Sequence, residues 1–326
     1  MRPQAVDVIL NRRARHLGDD ASPLREALLR EARAGSARVH ETWSLEELDD
    51  VARDIATRGE GRVVLAGGDG SHMAGVTALA RALGGELSNV TIALAPGGTV
   101  CTVARNWGMR ATPDYAASLV RAAVAGGGEV IARPTLRARD DAGGDRVGFI
   151  FGAGLVASFF EVYYASPHAG YLGAARIVGR IFAGSFTGGE LARRVLTPVP
   201  CAVEVDGEER GPRAWSLIVA SVVRDLGLHM LVTYRAGEDD HRFHAVASPL
   251  APRQLGPQLP RVLLGRRLAG ADHVDALARS MRVRFTGAGG GYVLDGEMLA
   301  ASAVEVTCGP TLRVLTLARV RSPLSR

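Results

Sequence analysis

The 326-residue chain contains no lysine: all 39 of its basic residues are arginine. This excludes a Walker A loop, whose lysine reaches the nucleotide phosphates, the strand lysine of protein kinases, and Schiff-base chemistry, which needs an amine. Any phosphate must be held by backbone amides, arginine or metal. Only three cysteines occur, Cys101, Cys201 and Cys308. Far apart and without a C-x-x-C pair, they exclude a disulfide framework and a thiolate zinc site, and a reducing, cytoplasmic location is expected. Aromatic residues make up 5% of the chain, too few for an interleaved base-stacking surface, and a net charge of +5 is too small to draw nucleic acid. No apolar run reaches the ~20 residues of a membrane-spanning helix. The least charged stretch, 147–175, is broken by Glu161, Pro167 and glycines. The first residues run straight into an apolar strand, so no signal peptide is expected.

What is present is apolar and rich in glycine: 47% hydrophobic residues and 40 glycines, enough for a large core in about two domains. The first part alternates short β runs with helical periods. Val6–Leu10 reads as a strand, Ser22 to Ala34 as a helix, and the residues around Val39 as a second strand. Ser44-Leu45-Glu46-Glu47 is a capping box opening a helix that Gly59 ends. A buried strand at Arg62–Ala66 runs into Gly67-Gly68-Asp69-Gly70 and a helix. A second strand at Thr91–Ala95 runs into Pro96-Gly97-Gly98-Thr99 and another helix, and Thr112-Pro113 opens a further one. Repeated β-α-β units imply a parallel sheet with ligands at the carboxyl ends of its strands. After about Arg133 the pattern changes to short strands joined by Gly/Asp turns, including Val147–Gly152, Trp215–Val223 and Met230–Thr233, and reads as an antiparallel sandwich or barrel. A helical insertion at 155–196 interrupts it. The expected division is 1–133 for the α/β domain, 134–312 for the β-rich domain, and 313–326 for a tail that returns to the first.

Two glycine loops carry the strongest signal. Three glycines between strand and helix let a backbone approach a phosphate, and the helix start adds free amides and a partial positive charge. A carboxylate inside the loop, Asp69, suits a Mg²⁺-bound phosphate better than a bare one. The second loop lies 29 residues after the first, about one β-α-β repeat, so the two are expected side by side. Cys101, beside these loops at a helix start, has two readings: a thiolate favoured by the helix dipole, or a small filler. A third feature, Leu294-Asp295-Gly296-Glu297, is weak by itself. Asp-Gly is an ordinary hairpin turn, and Asp206-Gly207-Glu208 repeats the tripeptide. The segment 149–196 concentrates aromatic residues: Phe159, Phe160, Tyr163, Tyr164, Tyr171, Phe182 and Phe186.

Taken in order, Gly-Gly-Asp-Gly-Ser, then Pro-Gly-Gly-Thr with Val103-Ala104-Arg105, then Asp-Gly-Glu and a closing Cys-Gly-Pro-Thr-Leu-Arg-Val-Leu strand, the chain resembles the diacylglycerol kinase catalytic family. That family includes bacterial lipid kinases and sphingosine and ceramide kinases. The resemblance spans nearly the whole chain. It implies a phosphofructokinase-like parallel α/β N-terminal domain, a C-terminal antiparallel β-sandwich, ATP and Mg²⁺ as cofactors, and a lipid substrate met at a membrane surface by peripheral contact. Residue by residue, it implies that Gly67, Gly68, Asp69, Gly70 and Ser71 form the nucleotide loop, joined by Asn11, Thr42, Gly98 and Thr99. Glu297 then takes the proton of the lipid hydroxyl, oriented by Asp295, with Asp69 acting through metal or water. Asp240 falls where bacterial members link an Asp-Gly to Mg²⁺.

The departures lie at Arg12–Arg15, where the family has small residues including a glycine, at Val100-Cys101-Thr102 in place of Gly-Asn-Asp, and at Asp240-His241 in place of Asp-Gly. They make Arg13 and Arg15 the first cations to suspect at the nucleotide. The expected function is an ATP-dependent lipid kinase acting on a diacylglycerol-like or sphingoid/ceramide hydroxyl. Its rivals are a non-catalytic lipid- or nucleotide-binding relative and an NAD kinase, which would share Gly-Gly-Asp-Gly.

Overall fold

The computed structural model describes residues 5–167, 170–211, 214–287 and 289–317. The chain divides into two compact units, 1–133 with 310–326, and 134–309.

Unit 1 is built from β1 (Val6–Asn11), α1 (Pro23–Ala34), β2 (Arg38–Thr42), α2 (Leu45–Arg58), β3 (Gly61–Gly67), α3 (Asp69–Ala82), β4 (Val90–Pro96), α4 (Thr102–Asn106), α5 (Pro113–Ala125) and β5 (Glu129–Arg133). Local chemistry sets these boundaries. The Ser22 and Thr112 hydroxyls cap helices that begin with proline. At Ser44 the hydroxyl accepts the Glu47 amide, and the Glu47 carboxylate reaches back to the amide of Trp43. Gly59 ends α2 in the left-handed conformation. The strands read as continuous apolar runs because helices cover the sheet. Leu28 and Leu29 of α1 and Leu119 and Val120 of α5 pack against Val8, Leu10 and Val64.

Unit 2 contains β6 (Leu136–Asp140), β7 (Asp145–Gly148), β8 (Ile150–Gly154), α6 (Leu155–Tyr164), α7 (Tyr171–Thr187), α8 (Glu190–Leu196), β9 (Val199–Val205), β10 (Glu208–Arg210), β11 (Ala214–Trp215), β12 (Leu217–Ser221), β13 (Phe243–Ser248), α9 (Pro252–Leu255), α10 (Leu259–Leu263), β14 (Val274–Ala278), β15 (Ser280–Phe285), β16 (Gly290–Leu294), β17 (Glu297–Ala301) and β18 (Ala303–Cys308). They form two antiparallel sheets, ordered β10-β9-β15-β18-β6-β7 with β11 on β9, and β14-β13-β12-β8-β16-β17. A last strand, β19 (Leu312–Thr316), belongs to unit 1. Its sheet is ordered β2-β1-β3-β4-β19-β5, parallel throughout except where β19 meets β5.

The expected fold class, a parallel α/β domain followed by antiparallel sheets, is borne out. Three local expectations are corrected. Trp215–Val223 is not one strand: the chain breaks at Ser216, with β11 paired to β9 and β12 to β8 and β13. Val147–Gly152 is not one strand. The chain changes sheets at Phe149, with β7 in one and β8 in the other. Met230–Thr233 is not a strand but part of a turn-rich excursion, tied down where the Thr233 hydroxyl donates to the carbonyl of Val223.

A buried ion pair locks β1 to its surroundings. Asp7 is almost wholly enclosed and accepts from Arg58 of α2 at 2.7 Å and from His40 of β2 at 2.8 Å. Burial works against its ionisation, but His40 and Arg58 outweigh it, so its pKa is lowered. Asp7→Asn should reduce unfolding free energy by about 1–2 kcal/mol in urea titrations at pH 7, since it removes the buried one of the two carboxylates that pair with Arg58 and leaves only the exposed Asp54. A carboxyl whose pKa falls on folding stabilises fully above its unfolded pKa and ceases to do so as pH falls through the folded value. The stability curves of the two proteins should therefore converge in strong acid.

Candidate functional site

The nucleotide-loop candidates converge at the carboxyl ends of β1, β3 and β4. Gly67 and Pro96 are register partners on β3 and β4, so the two glycine loops leave the sheet side by side, and the Gly97 amide donates to the Gly67 carbonyl at 2.7 Å. A Cβ on Gly98 would stand 2.5 Å from the Gly68 Cα. The need for glycine here is thus the approach of one loop to the other. At Gly70, by contrast, a Cβ would meet nothing within 4 Å. It stands in the first turn of α3, whose N-terminus has no side-chain cap. Uncapped first-turn amides and the positive end of a fourteen-residue helix fit a phosphate.

Asp69 stitches the loops together. Its two carboxylate oxygens accept the amides of Thr102 at 2.8 Å and Val103 at 3.1 Å, which begin α4. Cys101 sits just before them with φ 52°, in the left-handed region. Its sulfur accepts the Gly98 amide and faces the Gly67 carbonyl. Burial first, then the charge of Asp69, pushes its pKa up to about 11, so the filler reading holds and the thiolate reading does not. Below the loop His72 is fully buried with neither ring nitrogen in a hydrogen bond of good geometry. Burial lowers its pKa against the pull of Asp69, leaving it neutral.

Asn11 ends β1 with both polar atoms engaged, donating to the Ser71 hydroxyl at 2.7 Å and accepting the Arg13 amide at 2.8 Å. Ser71 also accepts the Gly68 amide. Thr42, the register partner of Asn11, is buried and its hydroxyl donates to the Leu10 carbonyl, so it supports the strand pair and presents no donor to a ligand. Of the arginines, Arg12 is structural: it is buried, bridged to Asp20 and Glu41 and stacked on the ring of Trp43. Arg13 and Arg15 are exposed on the same turn.

In unit 2, Asp295 and Gly296 form a two-residue turn with φ of 48° and 88°, the left-handed pair typical of a type I′ hairpin, and Glu297 opens β17. The Asp295 carboxylate is buried and accepts the amides of Phe149 and Ile150, each at 2.9 Å, where the chain changes sheets. The repeated tripeptide is its structural twin. Asp206 and Gly207 have φ of 50° and 85°, and the Asp206 carboxylate accepts the amides of Arg279 and Ser280. The surroundings differ. Only at the second turn does a tyrosine, Tyr164 of α6, donate to the Gly296 carbonyl, at 2.6 Å. The Tyr164 ring packs at a tilt against Phe160 and Tyr163. Burial raises its pKa, helped by Tyr163 and by the negative charge of nearby Glu297. Glu297 itself is exposed. Asp240 is exposed too. Among the described residues no group of three or more His, Cys, Asp or Glu is placed to hold a metal.

One family model matches the first part of the chain. Residues 5–130 match the diacylglycerol kinase catalytic domain. The resemblance read from the sequence is borne out there. No curated protein matches the chain. Among solved structures, it is similar to a diacylglycerol kinase from Bacillus anthracis str. Sterne, with 15% identity, 97% of each chain covered and a TM-score of 0.62. It is also similar to an NAD kinase from Archaeoglobus fulgidus in complex with ATP, with 13% identity, 96% of this chain and 94% of that one covered, and a TM-score of 0.50. At such identities the likeness is one of fold.

Set against this family, several expected roles change. The Gly98 amide is spent on Cys101 and the Gly68 amide on Ser71, whereas the first turn of α3 has no side-chain cap. Asp69 is a positioning residue, since both its oxygens are taken by amides. Among the described residues no metal cage is formed, so Asp240 gains no support as a ligand. Tyr164 was not legible: no spacing links it to a turn 132 residues away. Asp69→Asn offers one of the two amides an NH₂ group in place of an acceptor, and should destabilise the protein by about 1–2 kcal/mol. It should also speed iodoacetamide alkylation of Cys101 at pH 8, followed by peptide mass spectrometry, relative to a slow wild type.

Proposed function

We propose that the protein is an ATP-dependent lipid kinase, transferring the γ-phosphate of ATP to the hydroxyl of a diacylglycerol-like or sphingoid/ceramide lipid. The observation that carries the reading is the placement of Glu297: an exposed carboxylate on a tight hairpin, held by Tyr164 against the aromatic side of α6. A base that must reach a hydroxyl on a greasy acceptor needs apolar surface beside it, and unit 2 supplies both. The family match of residues 5–130 supports ATP use by unit 1.

In this reading the first-turn amides of α3 bind the β- and γ-phosphates, with Ser71 and Asn11 holding the loop. Asp69 and Cys101 keep the second loop against the first. Arg15 supplies the exposed cation that a lysine-free chain must find elsewhere. Mg-ATP, when bound, brings the transferable phosphoryl group and the metal charge that offsets its anionic oxygens. Glu297 accepts the proton from the acceptor hydroxyl as the oxygen attacks, and the Asp295 turn fixes its direction. A second reading, a nucleotide- or lipid-binding relative without catalysis, draws on the engagement of Asp69 and Gly98 in purely internal bonds.

Purified protein incubated with labelled Mg-ATP and, separately, diacylglycerol, ceramide, sphingosine and NAD should label a lipid. Labelled NAD, or no product, would overturn the proposal. Glu297→Gln should lower kcat by about 100-fold or more with ATP affinity nearly unchanged, because a positioned base contributes on that scale. Wild-type turnover in that variant would remove Glu297 from the mechanism.

A further inference from the structure

Helix α7 has seventeen residues, two of them arginine and none acidic. Its inward stripe, Gly173, Ile177, Ile181 and Ser185, is buried, with the two isoleucines against Val195, Leu217 and Val246. A helix so docked ordinarily shows charged and polar residues on its opposite face. The outward stripe of α7 carries two arginines but no acid, and is otherwise apolar. At helical spacing it runs through Leu172, Arg176, Gly179, Arg180, Ala183 and Phe186, all exposed. Leu172 retains 72% of its surface and Phe186 57%, and the Phe186 ring is braced edge-on by Phe182. The helix is therefore apolar on both sides, with cations alone relieving the outer one. The acids nearest in sequence, Glu161 and Glu190, lie on α6 and α8, outside the stripe. No described helix is long and apolar enough to cross a membrane, so a spanning role is excluded for α7.

We propose that the outward stripe of α7 is an interfacial anchor that lies in the surface of an anionic phospholipid bilayer, with Leu172 and Phe186 entering the acyl boundary and Arg176 and Arg180 paired to headgroup phosphates. The charge complementarity selects this occupant. An exposed apolar row carrying only guanidinium groups matches a surface that is greasy below and negative above. The anchor also reaches the candidate base. α7 begins just after α6, whose Tyr163 hydroxyl accepts the Gly170 amide and whose Tyr164 holds the Gly296 turn next to Glu297. Seating α7 on lipid thus brings the Glu297 hairpin to the surface where a lipid acceptor resides. The inference deepens the lipid-kinase reading and rests on it for its purpose, but binding can be measured without turnover.

The full-length protein is mixed, without nucleotide, with phosphatidylcholine vesicles containing 0 or 30% phosphatidylserine, in 0.1 M salt, and the bound fraction is read by flotation; the same preparation is assayed on water-soluble dioctanoylglycerol. Wild type should bind the anionic vesicles and leave the neutral ones largely unbound. Arg176→Gln/Arg180→Gln should weaken binding by about fivefold per arginine removed. Leu172→Ser/Phe186→Ser should weaken it by about tenfold or more. Both variants should keep the wild-type melting temperature, since the residues are exposed, and wild-type activity on the soluble lipid. Wild type that ignores anionic vesicles, variants that bind as well as wild type, or a concentration-dependent dimer of wild type that the same substitutions dissolve would each overturn the proposal. Intact vesicle binding lost in the variants, with no lipid phosphorylated by any of them, would leave the anchor standing and sink the kinase reading instead.

Discussion

Unit 2 depends on one buried carboxylate. Asp295 accepts two consecutive amides, those of Phe149 and Ile150, at the point where the chain leaves one sheet for the other. Strand ladders cannot satisfy amides at such a switch, and leaving them unpaired in the interior is costly. By supplying both acceptors from a hairpin 145 residues away, Asp295 fixes the switch and the hairpin together. The position of Glu297 follows from that bond. So does the contact of its turn with α6, and through α6 the start of α7. Tyr292, three residues before Asp295 on β16, adds a further tie by donating to Asp140 of the other sheet.

The same device recurs in unit 1. Asp69 also receives two consecutive amides, at the start of α4, and through them holds one glycine loop to its neighbour. With Asp206, three aspartates in Gly-containing turns spend both negative charge and geometry on backbone N–H groups. A carboxylate in a glycine loop reads as a metal or phosphate partner, yet here it is the loop's own scaffold. The distinction matters for chemistry, since a charge already compensated by amides repels an incoming phosphate less than a bare one would.

Much of the layout was legible because it is written in local periods. Strand-to-helix alternation, the Ser44 box and the proline-led helices follow from rules acting within a few residues, and the glycine loops fell side by side because one β-α-β repeat separates them. What escaped was set at long range. Val147–Gly152 is apolar throughout and gives no sign of a sheet change, because the cause is Asp295. Met230–Thr233 has strand-like residues but lacks a partner edge. The free amides of the glycine loops could not be sorted from the engaged ones, since Cys101 and Ser71 claim theirs through folded geometry. The second Asp-Gly-Glu did carry usable information: it showed that the aspartate of the first belongs to the turn.

The position of β19 has a consequence for biosynthesis. Its five residues pair with β4 on one side and β5 on the other, and β5 pairs with no other strand of its sheet. While the ribosome is still making unit 2, the sheet of unit 1 therefore lacks a strand, and β4 presents an open edge of the kind that recruits foreign strands. Unit 1 is encoded first but completed last. Premature termination anywhere in the long intervening stretch would leave the sheet of unit 1 without its fifth strand in spatial order.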